Sequence, residues 1–168
     1  LSSSYCTDDY FGVLDDNEGA WNGASNFTDL LDIGIGRIPV SSIEDAELFV
    51  DKVLSYNSLQ SQGDWKNIIC FVADDADEDW EWNLIHHADN LADKVGDLYP
   101  NFNVNKIYLD SYEQSISSGA QRYIDAQNDL RTQIQDGALI VNYVGHGGEI
   151  GLASERILEL SDINNFSN

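Results

Sequence analysis

The sequence predicts an α/β fold in which helices flank a parallel sheet. Three observations carry this. Strand-like runs alternate with segments of helical periodicity, as in chains built of strand-helix-strand units. The runs 68–73 and 138–144 are nearly continuously apolar, the pattern of strands buried on both faces. The connections hold the residues that end such elements, with Pro39 and Pro100 and Gly63 and Gly137 among them.

The elements follow in order. Residues 1–29 are loop-like and acidic, with Asp8, Asp9, Asp15, Asp16 and Glu18 among glycines and asparagines. Residues 31–38 read as a strand closed by Pro39. Ser41 and Glu44 form a capping-box pattern, in which each side chain satisfies a free backbone N–H. Ile43, Ala46, Phe49, Val50, Val53 and Leu54 then recur at helical spacing. The polar stretch 57–64 marks a boundary between two subdomains. Beyond it come a strand at 68–73, a helix through Leu84, Ala88, Leu91, Val95 and Leu98, and a strand at 104–109. His86 and His87 fall among apolar positions of that helix and read as partly buried. A Ser-rich loop at 110–122 leads to a helix through Ile124, Leu130 and Ile134, with Gly137 placed for a left-handed cap. The strand 138–144 follows.

Composition limits the functions open to the chain. The 168 residues include 30 acidic and 8 basic ones, a net charge of −22. Phosphate binding needs a basic face, so nucleic acid is excluded as a partner. The charge reads as solubility or, in some acidic loops, as cation binding. No apolar run approaches the roughly 20 residues of a membrane span. There is no Met and the first residue is Leu1, which reads as a mature fragment or an excised segment. Of the two cysteines, Cys70 lies in an apolar run as a small core residue and Cys6 in a polar stretch. Their spacing gives no sign of a bridge.

Ligands of parallel α/β sheets bind beyond the carboxyl ends of the strands. Two strand ends carry reactive residues here: Ala73-Asp74-Asp75, and the run from Asn142 through Gly145-His146-Gly147-Gly148 to Glu149. A histidine leaving a strand into a glycine turn is exposed yet held. It titrates near neutral pH, which suits a general base, and the glycines let a backbone N–H face a developing oxyanion. Asp75 reads as the group that orients the imidazole, or as one acid of a solvated run that continues through Asp77, Glu78 and Asp79.

At these residues the chain resembles the gingipain family of cysteine peptidases, and within it the surface-sortase branch that serves type IX secretion. The resembling stretches are TDDYFGVLDDNEG (7–19), LDIGIGRIPV (31–40), FVADDAD (71–77) and VNYVGHGGE (141–149), in the family's order. The resemblance implies a caspase-like α/β fold of two subdomains, with the end of the first at 1–64 and the start of the second, catalytic one at 65–168. It implies that His146 is the base and Gly147 an oxyanion donor, with Asp75 as the acid near the histidine and Asp74 as the other choice. In the family the cysteine ends the next strand beyond the histidine. Here none of the 22 residues after His146 is Cys, so the nucleophile is expected to be absent and the chain inactive alone. The acid that arginine-specific members place before the histidine-holding helix is not matched at Trp82-Asn83-Leu84. The branch implies cleavage of carboxy-terminal secretion signals, a protein or peptide substrate, contact with outer-membrane secretion machinery, and a secreted or cell-surface location.

Two other readings stay open. An HGG turn also forms the oxyanion loop of serine esterases of the α/β hydrolase type, which need a Gly-x-Ser-x-Gly further on. A non-catalytic, calcium-stabilised surface module is the third. No cofactor is required for the chemistry, but Asp15, Asp16 and Asp32 read as ligands of a structural calcium, which gingipains bind in this neighbourhood, or as a solvated acidic loop.

Overall fold

The computed structural model describes residues 8–16, 30–117 and 119–167. They form two compact units, which divide between Ser61 and Gln62.

In the first unit the described residues hold 3-10 turns at Asp9–Gly12 and Leu59–Ser61 and one α-helix, α1 (Ile43–Tyr56). The cap of α1 lies one residue later than the sequence pattern suggests: Ser42, not Ser41, accepts from the Asp45 N–H at 3.0 Å. Ser42 is extended while Ile43 opens the helix, so its hydroxyl is the one in reach of the third free amide. Residues 31–38 do not form the expected strand. Extended backbone becomes a strand only by pairing along a ladder, and here the run is held by isolated contacts. Asp32 N–H bonds to Gly12 O at 2.8 Å, and the Asp32 carboxylate accepts the Leu14 N–H at 2.8 Å. The Arg37 guanidinium clasps Asp8, its Nε 2.8 Å from Oδ2. A Cβ at Gly12 would lie 2.8 Å from Leu31 and 2.9 Å from Ile35, so glycine is what lets the two stretches meet.

The second unit is built on a three-stranded parallel sheet. β1 (Ile68–Ala73) is central, with β2 (Asn103–Tyr108) on one side and β5 (Ile140–Val144) on the other. Ile68 pairs with Asn103, and Ala73 with Val144. Alternation along β1 sorts its side chains onto two faces. Cys70 and Val72 enter a cluster with Ile107, Leu109, Tyr123, Ala126, Leu130 and Ile157. Ile69 and Phe71 enter another with Ala92, Val95, Phe102 and Val104. The helices α3 (Ile124–Asp136) and α2 (Trp82–Leu98) supply these two layers. Lys106 of β2 ties α2 down, with Nζ 2.6 Å from both Asp89 and Asp93. Gly137 ends α3 at φ +95°, and a Cβ there would lie 2.9 Å from Trp65.

Three expectations are corrected. His86 and His87 are exposed rather than partly buried, because Ala88 and Ala92 are the α2 residues buried against the sheet. β5 is not buried on both faces: it edges the described sheet, and Ile140 and Val141 are exposed. The 110–122 loop contains a short hairpin, β3 (Ser115–Ser117) with β4 (Ala120–Arg122). After β5 the chain folds into β6 (Gly151–Leu152), β7 (Leu158–Glu159) and the single turn α4 (Leu160–Ile163). No helix among the described residues is long and apolar enough to cross a membrane.

Candidate active site

The pairing of Ala73 with Val144 sets the ends of β1 and β5 side by side. Asp74 and His146, 72 residues apart in sequence, meet there. One oxygen of Asp74, Oδ2, accepts the backbone N–H of His146 at 2.8 Å and lies 3.0 Å from its ring Nδ1. The strand ladder extends through Asp74 N–H to Val144 O at 3.1 Å. Asp74 is 2% exposed. A buried carboxylate needs partners to offset its lost hydration, and His146 supplies two of them.

The turn is fixed on its other sides as well. Tyr143 donates its hydroxyl to His146 O at 2.6 Å. A Cβ on Gly145 would lie 2.5 Å from Asp74 Cβ and collide with the Tyr143 hydroxyl, so this glycine is required by packing. Gly147 and Gly148 are not: a Cβ at Gly148 meets nothing within 4 Å, and one at Gly147 reaches only Leu152, at 3.8 Å. Ala153 N–H bonds to His146 O and Gly148 N–H to Gly151 O, both at 2.9 Å. These bonds bracket Gly147 opposite Leu152 as a non-hydrogen-bonded pair, so its own N–H points out of the ladder.

The imidazole is half exposed. With Nδ1 turned to Asp74, Nε2 is the nitrogen left for proton transfer. Glu81 Oε1 lies 3.4 Å from it, and the Trp80 ring meets the imidazole edge-on at 5.9 Å. Glu81 is buried just before α2, its other oxygen accepting the Glu78 N–H at 2.6 Å. A cleft of about 430 Å³ opens beside His146, lined by Gly147, Gly148, Glu149, Ile150 and Arg156 among others.

Asp75 is placed differently from the expectation. It accepts the Tyr123 hydroxyl at 3.0 Å, and Asp74 holds the ring instead. Both acids lie beyond the last residue of β1, and their oxygens stay close to one another, but Asp74 is the one that meets His146 while Asp75 is engaged by Tyr123. Burial raises the Asp75 carboxyl above its usual range, opposed by the Tyr123 bond. Asp74, Asp75 and Glu155 come together, one oxygen from each within 4.8 Å of the others. Burial, and then the charge of Asp75, push Glu155 up to about 7. Glu81 and Glu155 escape sequence reasoning. Glu81 carries a faint signal as an acid ahead of an apolar helix. Glu155 carries none, because only the fold of the 145–159 segment brings it back.

The remaining expected residues fall elsewhere. Asp15, Asp16 and Asp32 are exposed and do not gather one oxygen each within 4.8 Å. The middle of that acidic loop, 17–29, lies outside the described residues, as does Cys6. Cys70 is fully buried mid-strand, opposite Val141, and burial pushes its thiol up to about 11. A thiol held neutral in the core is neither a nucleophile nor a partner for His146.

Searches of the curated proteins and of the solved structures find no match. The model of peptidase family C25 matches residues 2–168, which include both strand ends. Its proteins are cysteine peptidases acting on proteins. The chain belongs to peptidase family C25, the gingipain family of cysteine peptidases.

Proposed function

We propose that this chain supplies the general base and an oxyanion donor of a cysteine peptidase site. The observation that carries the reading is the double contact of His146 with Asp74. It fixes the ring against the strand end, holds a proton on Nδ1 and leaves Nε2 to take the proton of an attacking thiol. The resulting imidazolium is stabilised by the buried Asp74 carboxylate. Gly147 N–H, turned out of the ladder, then donates to the oxyanion of the tetrahedral intermediate. His146 later returns its proton to the leaving amine.

The nucleophile comes from a cysteine outside these 168 residues. Cys70 is excluded by burial, and Cys6 lies before both strand ends, whereas the resemblance places the family cysteine at the end of the strand after the histidine. Residues 1–64 and 65–168 then belong to the end of the first gingipain-like subdomain and the start of the second. The finer reading is a sortase-like transpeptidase of the outer surface, which cleaves carboxy-terminal secretion signals of proteins delivered by the type IX machinery. It is supported by the stretches 7–19 and 31–40, whose contact through Asp8 and Arg37 unites two of the resembling motifs.

The test uses two proteins. The 168-residue chain, incubated with denatured proteins and with peptides carrying such signals, is expected to cleave none of them. In the longer protein that carries the cysteine, His146→Ala is expected to lower turnover by about 10²–10⁴-fold, the usual worth of a general base. Cleavage by the 168-residue chain that His146→Ala abolishes would overturn the assignment of the nucleophile. Near-normal turnover of the longer variant would overturn that of the base.

A further inference from the structure

We propose that Asp74, Asp75 and Glu155 form a binding site for a hard divalent cation of the calcium class, set behind His146. The three carboxylates are buried, at 2%, 7% and 3% exposure, and one oxygen from each lies within 4.8 Å of the others. Like charges gathered away from water repel strongly, so a buried triad of acids requires neutralisation. The neighbouring donors do not complete it. Tyr123 serves one oxygen of Asp75, His146 serves one of Asp74, and the Asp75 N–H serves the other oxygen of Asp74 at 3.2 Å.

A second observation points to a ligand. Glu155 Oε2 is buried and has no hydrogen-bond partner. A carboxylate oxygen without water or a donor is among the costliest groups to bury, and this one belongs to a carboxylate turned into the cluster. The turn that delivers it is unusual too: Ala153 and Arg156, on either side, take left-handed backbone at φ +61° and +56°. The donor set is all oxygen, which selects calcium or a similar hard cation over zinc or copper. Such an ion takes about 6–8 oxygens, so water and backbone carbonyls fill the remaining positions. It would tie the 153–156 turn to the end of β1 and hold Asp74, the residue that positions His146. It shares no residue with the Asp15, Asp16 and Asp32 loop.

The test is thermal unfolding of the 168-residue chain in chelator and in rising calcium, with Glu155→Gln and Asp16→Asn alongside. A ligand that binds only the folded state stabilises it by mass action. The expected result is a saturable rise in Tm of about 5–10 °C at calcium a hundredfold above Kd. It should be lost in Glu155→Gln and kept in Asp16→Asn. Should Glu155→Gln not fold, Asp75→Asn takes its place. An unchanged Tm in the unsubstituted chain would overturn the site, since the acids would then be neutralised by shared protons. So would a calcium-induced rise that survives in Glu155→Gln or Asp75→Asn.

Discussion

Asp74 and Asp75 differ by one position along the chain and by everything that surrounds them. Asp74 bonds twice to His146, whereas Asp75 accepts the Tyr123 hydroxyl. In the cysteine-bearing longer protein, Asp74→Asn should therefore lower kcat at least tenfold more than Asp75→Asn, measured on one peptide substrate. Equal losses would remove the distinction. That an acid after β1 attends His146 was legible in the sequence. Which of the two was not, because the choice depends on the partner each carboxylate meets in the fold, Tyr123 or His146, and both partners are distant in sequence. The glycine turn divides in a similar way. The Gly-His-Gly-Gly motif suggests that every glycine serves close approach, yet only Gly145 is crowded. Gly145→Ala should cost about 1–3 kcal/mol by overpacking, and Gly148→Ala should be nearly neutral, as urea unfolding of each variant would show.

At the level of elements, the second unit was the readable one. β1 has the expected limits, and α2, β2, α3 and β5 lie within two residues of them. The run of β1 and the positions Ala88 and Leu130 coincide with real burial, whereas Leu91, Leu98 and Ile124 are exposed. Leu130 is 1% exposed, in the cluster that covers one face of β1. Leu130→Ala should lose about 2–5 kcal/mol, with the loss read from the same unfolding curves. The first unit was read less well. Residues 31–38 alternate as a strand would, but a strand is a property of a pair, and the contacts that hold this run are isolated ones. The cap of α1 slipped because Ser41 and Ser42 both head an S-x-x-acid pattern. Ser42→Ala should cost about 0.5–2 kcal/mol, the worth of a cap, and Ser41→Ala next to nothing. The reverse order would contradict the cap assignment.

At the scale of the molecule, sequence shows chemistry-bearing residues one at a time and the fold brings them together. The sheet order β2-β1-β5 makes neighbours of Asp74 and His146, 72 residues apart, and a rule about parallel strand ends was enough to suspect both. The acids that complete the surroundings arrive by other routes: Glu81 from the start of α2 and Glu155 from a folded-back turn. No local pattern announces such a return. The same fold withdraws Cys70 from chemistry. Its thiol should resist iodoacetamide at neutral pH in the native protein and react on denaturation, as peptide mass spectrometry would report. The account stands or falls on how His146 is held, and nitrogen-15 NMR of the 168-residue chain measures that directly. The account predicts that the neutral ring carries its proton on Nδ1, that Asp74→Asn moves it to Nε2, and that Asp75→Asn leaves it in place. A proton on Nε2 in the unsubstituted protein, or a shift caused by Asp75→Asn instead, would contradict it.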